Sequence, residues 1–168
     1  MSIVCCRILK DKIEIASDSI TVRGWTQSKG GKLSKLFQEN GLIVGAVGNA
    51  DELALFNLFC KNHRPERSDE SGIVGFLTEF CEWKNHKVDS KLLNNSYIIV
   101  CDGRAYCCEQ FFVQEITTYQ AIGAGMDFAL AVLYLGHDVI AAVEAACELS
   151  VYCEKPVIRF DVLRNGQF

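Results

Sequence analysis

The sequence predicts an α+β protein, a four-layer α/β/β/α sandwich built on two mainly antiparallel sheets. Strand-like segments occur in clusters joined by short turns, which is typical of antiparallel sheets rather than of alternating βαβ units. Asn40-Gly41 and Asp102-Gly103 are hairpin signals inside these clusters. Two pairs of apolar helices separate the clusters, and each pair is suited to cover one sheet face.

The individual elements follow from hydrophobic periodicity and from turn residues. Strands are predicted over residues 3–9, 13–17, 32–37, 42–48, 97–101, 104–108, 111–116, 117–122 and 156–163. Helices are predicted over residues 50–62, 72–83, 126–135 and 139–152. Asn49 or Asp51 is expected to cap the first helix and Asp138 the fourth, whereas residues 19–31 are expected to form a polar loop.

Length and composition predict one globular domain over residues 1–168. The chain has 168 residues, of which 49% are hydrophobic and 23% are charged. This is enough apolar material for a sizeable core and is unlike a disordered chain. No composition shift or long linker divides the sequence, and no internal repeat is visible.

Charge and hydropathy exclude two classes of partner. The net charge is −4 and no run of basic residues exceeds two, so nucleic acid is not an expected partner. No apolar run approaches the roughly 20 residues that span a bilayer, so no membrane partner is expected either. The first residues lack the features of a signal peptide, and Arg7 interrupts the one apolar candidate. A cytoplasmic protein is therefore expected.

The cysteines and histidines do not form a metal-binding pattern. The nine cysteines are odd in number, include no Cys-x-x-Cys pair and mostly lie in apolar runs. We expect them to be buried free thiols of a reduced protein. The three histidines have no ligand-like spacing to one another or to cysteine pairs. Neither a metal nor another cofactor is predicted.

The first strand begins directly after Met1-Ser2, and this makes Ser2 a candidate nucleophile. A small second residue favours removal of the initiator methionine, which would leave Ser2 with a free α-amine. Such an amine titrates near ~7.7–8.0, so much of it is a free base at neutral pH. An N-terminal amine can take the proton of a hydroxyl on the same residue and so activate it. The alternative is an ordinary edge strand with a removable methionine.

Several motifs, in order along the chain, resemble those of one enzyme family. They are Ile-Ala-Ser-Asp at 15–18, Lys-Gly-Gly-Lys-Leu at 29–33, Gly-Ala-Val-Gly-Asn-Ala-Asp at 45–51, and Ala-Ile-Gly-Ala-Gly at 121–125 followed by Phe-Ala-Leu-Ala at 128–131. Together they are similar to the proteasome β-subunit/HslV-type N-terminal-nucleophile hydrolases, and the resemblance covers nearly the whole chain.

The resemblance implies a set of site residues. The family has an Asp sixteen residues after its nucleophile, and counting from Ser2 gives Asp18 without a gap. Counting from Met1 requires one extra residue in the turn that contains Lys10. The active-site lysine of the family corresponds to Lys32 or Lys35, and the apolar pattern around Lys32 favours Lys32. The backbone N–H of Gly48 matches the oxyanion donor of the family.

The resemblance also implies an activity and partners. It predicts a threonine-peptidase-type endopeptidase, with serine as nucleophile, acting on polypeptides inside a homo-oligomeric ring. A separate AAA+ unfoldase ATPase would feed the ring, because this chain has no P-loop motif of its own. Ala124 departs from the family, which usually has serine there. A catalytically inactive ring-forming or scaffolding homologue therefore remains the main alternative, with a hydrolase of small amides as a third.

Overall fold

A computed structural model describes residues 2–19, 21–23, 26–28 and 34–164. Strands β1 to β11 span Ile3–Ile8, Lys12–Ser17, Thr21–Arg23, Thr26–Ser28, Leu36–Glu39, Leu42–Val47, Ser96–Cys101, Arg104–Glu109, Phe112–Glu115, Tyr119–Gly123 and Ile158–Leu163. Helices α1 to α4 span Ala50–Cys60, Glu70–Val88, Met126–Tyr134 and Val139–Leu149. Within these residues, no helix combines the length and hydrophobicity needed to cross a membrane.

The first sheet has the strand order β10-β1-β2-β11, and every neighbouring pair is antiparallel. Strand β1 lies in its centre, where Ile3 pairs with Gly123 on one side and Val4 pairs with Ser17 on the other. Helices α3 and α4 cover the outer face. The beginning of the described chain is therefore an internal part of a sheet and not a frayed end.

The second sheet has the order β5-β6-β7-β8-β9 and is also antiparallel. Two of its hairpins turn at the dipeptides that the sequence indicated. Asn40 and Gly41 have φ values of 50° and 77°, and Asp102 and Gly103 have values of 47° and 75°. Two successive positive φ values are what the favoured two-residue hairpin turn requires. The predicted α+β sandwich of two antiparallel sheets is confirmed.

Side-chain alternation divides the interior into three apolar layers. Along β1, Val4 faces the space between the two sheets, while Ile3 and Cys5 face α3 and α4. The third layer, between the second sheet and helices α1 and α2, is strongly aromatic. Its buried rings include Phe56 and Tyr97, whose centroids lie 4.5 Å apart.

The two sheets approach each other closely at Gly45 of β6 and Val4 of β1. A Cβ atom added to Gly45 would lie 2.4 Å from Cγ1 of Val4, a distance that real Cβ contacts do not show. The glycine in β6 therefore lets the sheets pack without a gap at this contact. This contact fixes the first strand against the strand that leads to Gly48.

Some boundaries differ from the sequence prediction. The predicted loop over 19–31 contains the short antiparallel pair of β3 and β4. Helix α2 begins earlier, because Asp69 accepts a hydrogen bond from the Gly72 amide. It also continues to Val88, where Asp89 adopts a left-handed φ of 49° and ends it. The predicted strand over 32–37 appears as β5, which begins only at Leu36.

Candidate active site

A buried ion pair joins the two sheets at one end of the sandwich. Asp18 directly follows β2 of the first sheet, and Lys35 directly precedes β5 of the second. The Lys35 Nζ lies 2.8 Å from both carboxylate oxygens of Asp18. The Lys35 side chain is 9% exposed and that of Asp18 is fully buried. Because buried charges require a partner of opposite sign, each residue fixes the other in place.

Asp18 also fixes the first residues of the chain. Its Oδ1 accepts a hydrogen bond of 3.0 Å from the Ile3 amide, and its own amide donates to the Ile3 carbonyl at 3.2 Å. Its Oδ2 accepts from the Glu154 amide at 3.3 Å. The backbone that follows Ser2 is thus bound to the same carboxylate that holds Lys35. Ser2 therefore directly precedes Ile3, the residue whose amide and carbonyl both bind Asp18.

Ser2 lies against the ends of two further strands. Its carbonyl accepts a hydrogen bond of 3.3 Å from the Gly125 amide. Gly123, at the end of β10, has a φ of +103°, and a Cβ there would lie 2.3 Å from the Ser2 carbonyl oxygen and 3.1 Å from Val47 Cγ1. Only glycine allows this approach. Gly123 therefore lies between Ser2 and Val47, the last residue of β6.

Gly48 follows β6 and makes a turn that requires glycine. Its φ is +133°, and a Cβ would lie 2.3 Å from Oδ1 of Asn95. Two residues earlier, the Ala46 amide donates to the Lys35 carbonyl at 2.8 Å. The strand that Gly48 follows is therefore hydrogen-bonded directly to the lysine of the ion pair. Ser2, Asp18, Lys35 and the Gly48 turn converge on one end of the sandwich.

Burial determines the electrostatics of this region. It lowers the pKa of Lys35 from its ordinary value, and the Asp18 carboxylate partly opposes that shift. A buried lysine with a lowered pKa is suited to proton transfer and to stabilising a nearby developing negative charge.

The cysteines closest in sequence to Ser2 are unsuited to act as nucleophiles. Cys5 and Cys6 are completely buried, and burial raises the pKa of both thiols. The thiolate is the reactive form of cysteine, and a raised pKa leaves almost none of it at neutral pH. No group of three or more potential His, Cys, Asp or Glu metal ligands occurs in the described parts of the chain.

Comparisons with solved structures match the fold of the chain to known proteins. BPH from Thiobacillus denitrificans superposes with a TM-score of 0.86 at 20% identity, covering 98% of this chain and 100% of BPH. The chain has the proteasome-type N-terminal-nucleophile hydrolase fold. The same protein in complex with epoxomicin gives a TM-score of 0.84 at 18% identity over the same coverage.

Two further proteasome-type structures match over most of their length. HslV from Trypanosoma brucei gives a TM-score of 0.69 at 15% identity, over 95% of this chain and 98% of that one. Anbu from Yersinia bercovieri, an ancestral β-subunit, gives 0.69 at 18% identity, over 95% and 80% respectively. No protein-family model and no curated protein sequence matches the chain.

The site residues that the sequence predicted are arranged as follows. Ser2 precedes Ile3, whose amide binds Asp18. Strand β6, which Gly48 follows, lies against Gly123 through Val47 and binds the Lys35 carbonyl through the Ala46 amide. Lys32 lies outside the described residues. The described lysine that binds Asp18 is Lys35, the candidate that the apolar pattern favoured less.

Two features of the site qualify or extend the sequence interpretation. Ala124, which stands where the proteasome family usually has serine, is exposed. Asn95 was not among the predicted site residues, yet its side chain contacts the Gly48–Asn49 turn. No local motif marks Asn95, because the backbone groups of Asn49 that its side chain binds are 46 positions away in sequence.

We expect substitution of Asp18 by asparagine to destabilise the protein. Asp18→Asn leaves the Lys35 ammonium buried without a counter-ion, and breaking such a pair typically costs about 3–5 kcal/mol. The free energy of unfolding in urea measures this loss. Asp102→Asn is the matched control, because Asp102 pairs with Arg64 and both side chains are substantially exposed. An exposed pair contributes about 1 kcal/mol or less. Equal, small losses in both variants would contradict the structural importance of the Asp18–Lys35 pair.

Proposed function

We propose that this chain is a peptidase in which Ser2, once it is the amino-terminal residue, is the nucleophile. The observation that supports this most directly is the buried Asp18–Lys35 ion pair bound to the Ile3 amide. One carboxylate thereby binds both the Lys35 ammonium and the amide of the residue after Ser2. In the full chain Ser2 is 4% exposed and its nitrogen is an amide, so removal of the preceding residue is part of the proposal.

The proposed reaction is acyl transfer to the Ser2 hydroxyl. The Ser2 Oγ attacks the peptide carbonyl while the α-amine of the same residue accepts the hydroxyl proton. The proton then passes to the leaving amine as the C–N bond breaks, which leaves an ester between Ser2 and the substrate. Water attacks this ester, with the amine again as base, and releases the carboxylic acid and free Ser2.

Two other residues are assigned electrostatic roles in this reaction. The Lys35 ammonium would stabilise the developing negative charge on the serine oxygen and would keep the α-amine neutral. The Gly48 N–H would donate a hydrogen bond to the oxyanion of the tetrahedral intermediate, which typically contributes a few kcal/mol to catalysis. Asp18 would hold Lys35 and the Ile3 backbone in position.

We assign the lysine role to Lys35 in preference to Lys32. Lys35 Nζ is already bound to Asp18, and its backbone carbonyl is bound to the strand that leads to Gly48. One carboxylate therefore connects the lysine to the residue after Ser2. The apolar pattern that favoured Lys32 does not account for this contact.

The fold supports a compartmentalised peptidase as the biological form. BPH, HslV and Anbu share this fold, and BPH has been solved in complex with epoxomicin. By analogy we propose a homo-oligomeric ring that degrades polypeptides delivered by a separate AAA+ ATPase. We expect epoxomicin to bind this chain and to inhibit its proposed peptidase activity. An inactive ring-forming homologue is the alternative, and Ala124 is the feature that favours it.

Substitution of Ser2 is the first test of the proposed chemistry. We expect Ser2→Ala to reduce hydrolysis of a fluorogenic peptide to the background rate, because it removes the only proposed nucleophile while leaving the α-amine. Ser2→Thr should retain activity, since it preserves the hydroxyl. Ser71→Ala, a substitution of an exposed serine on α2, should leave the rate unchanged. Undiminished turnover by Ser2→Ala would remove Ser2 from the mechanism, and no turnover by any form would favour the inactive homologue.

A matched pair of arginine substitutions tests the choice of lysine. Lys35→Arg keeps the positive charge beside Asp18 but replaces the compact ammonium with a planar guanidinium that does not deprotonate. We expect kcat for peptide hydrolysis to fall by more than about tenfold, because the broader guanidinium does not place its charge where the Lys35 ammonium stabilises the serine oxygen. Lys32→Arg should change kcat by less than about twofold. The reverse pattern would assign the role to Lys32.

A further inference from the structure

A second buried ion pair lies beneath the first turn of α1. The Lys84 Nζ is 2.8 Å from Oε2 of Glu52, and the two side chains are only 3% and 4% exposed. A buried pair of this kind is weak evidence for stability by itself, since desolvating both charges offsets much of their attraction. The groups that this ion pair binds are therefore more informative about its role than its presence in the core.

The Glu52 carboxylate binds the chain segment that enters β7. Its Oε1 accepts hydrogen bonds from the Tyr97 hydroxyl at 2.9 Å, the Asn95 amide at 3.0 Å and the Asn94 amide at 3.1 Å. Lys84 also donates to the Leu92 carbonyl of the same segment. The ion pair thus fixes the backbone of Asn95 relative to α1.

The side chain of Asn95 in turn binds both backbone groups of Asn49. Its Oδ1 accepts from the Asn49 N–H, and its Nδ2 donates to the Asn49 carbonyl at 3.0 Å. Asn95 is 2% exposed, and its Oδ1 occupies the space that a Cβ on Gly48 would need. Asn95 therefore holds the backbone directly after Gly48 through three contacts: a hydrogen bond to the Gly48–Asn49 peptide, a hydrogen bond to the Asn49–Ala50 peptide and a steric contact at Gly48.

The turn is also held from the helix side. The Asn49 Oδ1 accepts hydrogen bonds from the Asp51 amide at 2.8 Å and the Glu52 amide at 3.1 Å, and so caps α1. The first turn of α1 is thus connected to Asn95 in two ways. Glu52 accepts a hydrogen bond from the Asn95 backbone amide, and the Asn95 side chain binds the backbone of Asn49, which caps the helix. These contacts form a closed loop of hydrogen bonds around the residue that follows Gly48.

We propose that Asn95 is a positioning residue that orients the Gly48 turn for oxyanion binding, with Glu52 and Lys84 fixing Asn95 from behind. The inference rests on the proposed function, because it assigns a purpose to the orientation of the Gly48 N–H. A hydrogen-bond donor contributes most to a transition state when it is already aligned before reaction. Gly48 has the conformational freedom of a glycine at φ +133°, so its alignment must be imposed by neighbouring groups.

The test compares Asn95→Ala with Asn94→Ala in the processed, oligomeric protein. Asn94 is the adjacent exposed asparagine, and its side chain donates to Glu52 at 3.3 Å without contacting the Gly48 turn. For Asn95→Ala we expect kcat for a fluorogenic peptide to fall by more than about tenfold with KM within about twofold. A loss confined to kcat is the sign of an interaction made only in the transition state. Asn94→Ala should change neither constant.

Amide hydrogen exchange at Asn49 provides a readout that does not depend on catalysis. In Asn95→Ala the Asn49 amide loses its acceptor and should exchange at least about tenfold faster, whereas amides of β7 should keep their rates. Asn94→Ala should leave the Asn49 exchange rate unchanged. Folding of both variants is monitored by the exchange rates of the core strands, so that general unfolding is recognised as such.

The outcomes separate this inference from the proposed function. If wild type is active and Ser2→Ala is not, but Asn95→Ala keeps its kcat, the positioning role of Asn95 is wrong and the proposed function stands. If Asn49 exchange is unchanged in Asn95→Ala, Asn95 does not fix the turn and the inference is also wrong. If wild type and Ser2→Ala are equally inactive, the proposed function fails. The catalytic purpose of Asn95 then fails with it, whatever the exchange rates show.

Discussion

The ion pair between Asp18 and Lys35 is the interaction on which the candidate site depends. It connects the end of β2 to the residue before β5, and the same carboxylate binds the Ile3 amide and the Glu154 amide. Four separate parts of the chain are therefore fixed by one buried side chain. A charge in this position is unfavourable unless it is fully paired, so the arrangement tolerates little displacement of any partner.

A second buried pair, Glu52 with Lys84, holds the segment that contacts the Gly48 turn, as the Asp18–Lys35 pair holds the start of β1. Each pair binds backbone amides in addition to its own counter-ion, and each lies directly behind a group to which we assign a catalytic role. Apolar packing between the sheets, which includes the close approach of Gly45 to Val4, brings the two regions together. On this account the core determines which strands are adjacent, and the buried charges determine the orientation of the reacting groups.

Local signals in the sequence predicted most of the fold and part of the site. The Asn40-Gly41 and Asp102-Gly103 turns were predictable because their residue types tolerate positive φ. The lysine was harder to assign, because Lys35 lies before β5 rather than within it and strand alternation does not predict its direction. Asn95 could not be predicted at all, since its partner Asn49 is 46 residues distant and only the folded chain brings them together.

The central claim is that Ser2 supplies both the nucleophile and its base, and this requires a free α-amine on Ser2. The most direct measurement is the intact mass of the untagged protein, combined with identification of its first residue by sequencing from the amino terminus. We expect a chain that begins at Ser2, without Met1 or any residue before it. A chain that uniformly retains the preceding residue would contradict it, because the nitrogen of Ser2 would then be an amide with no proton-accepting capacity.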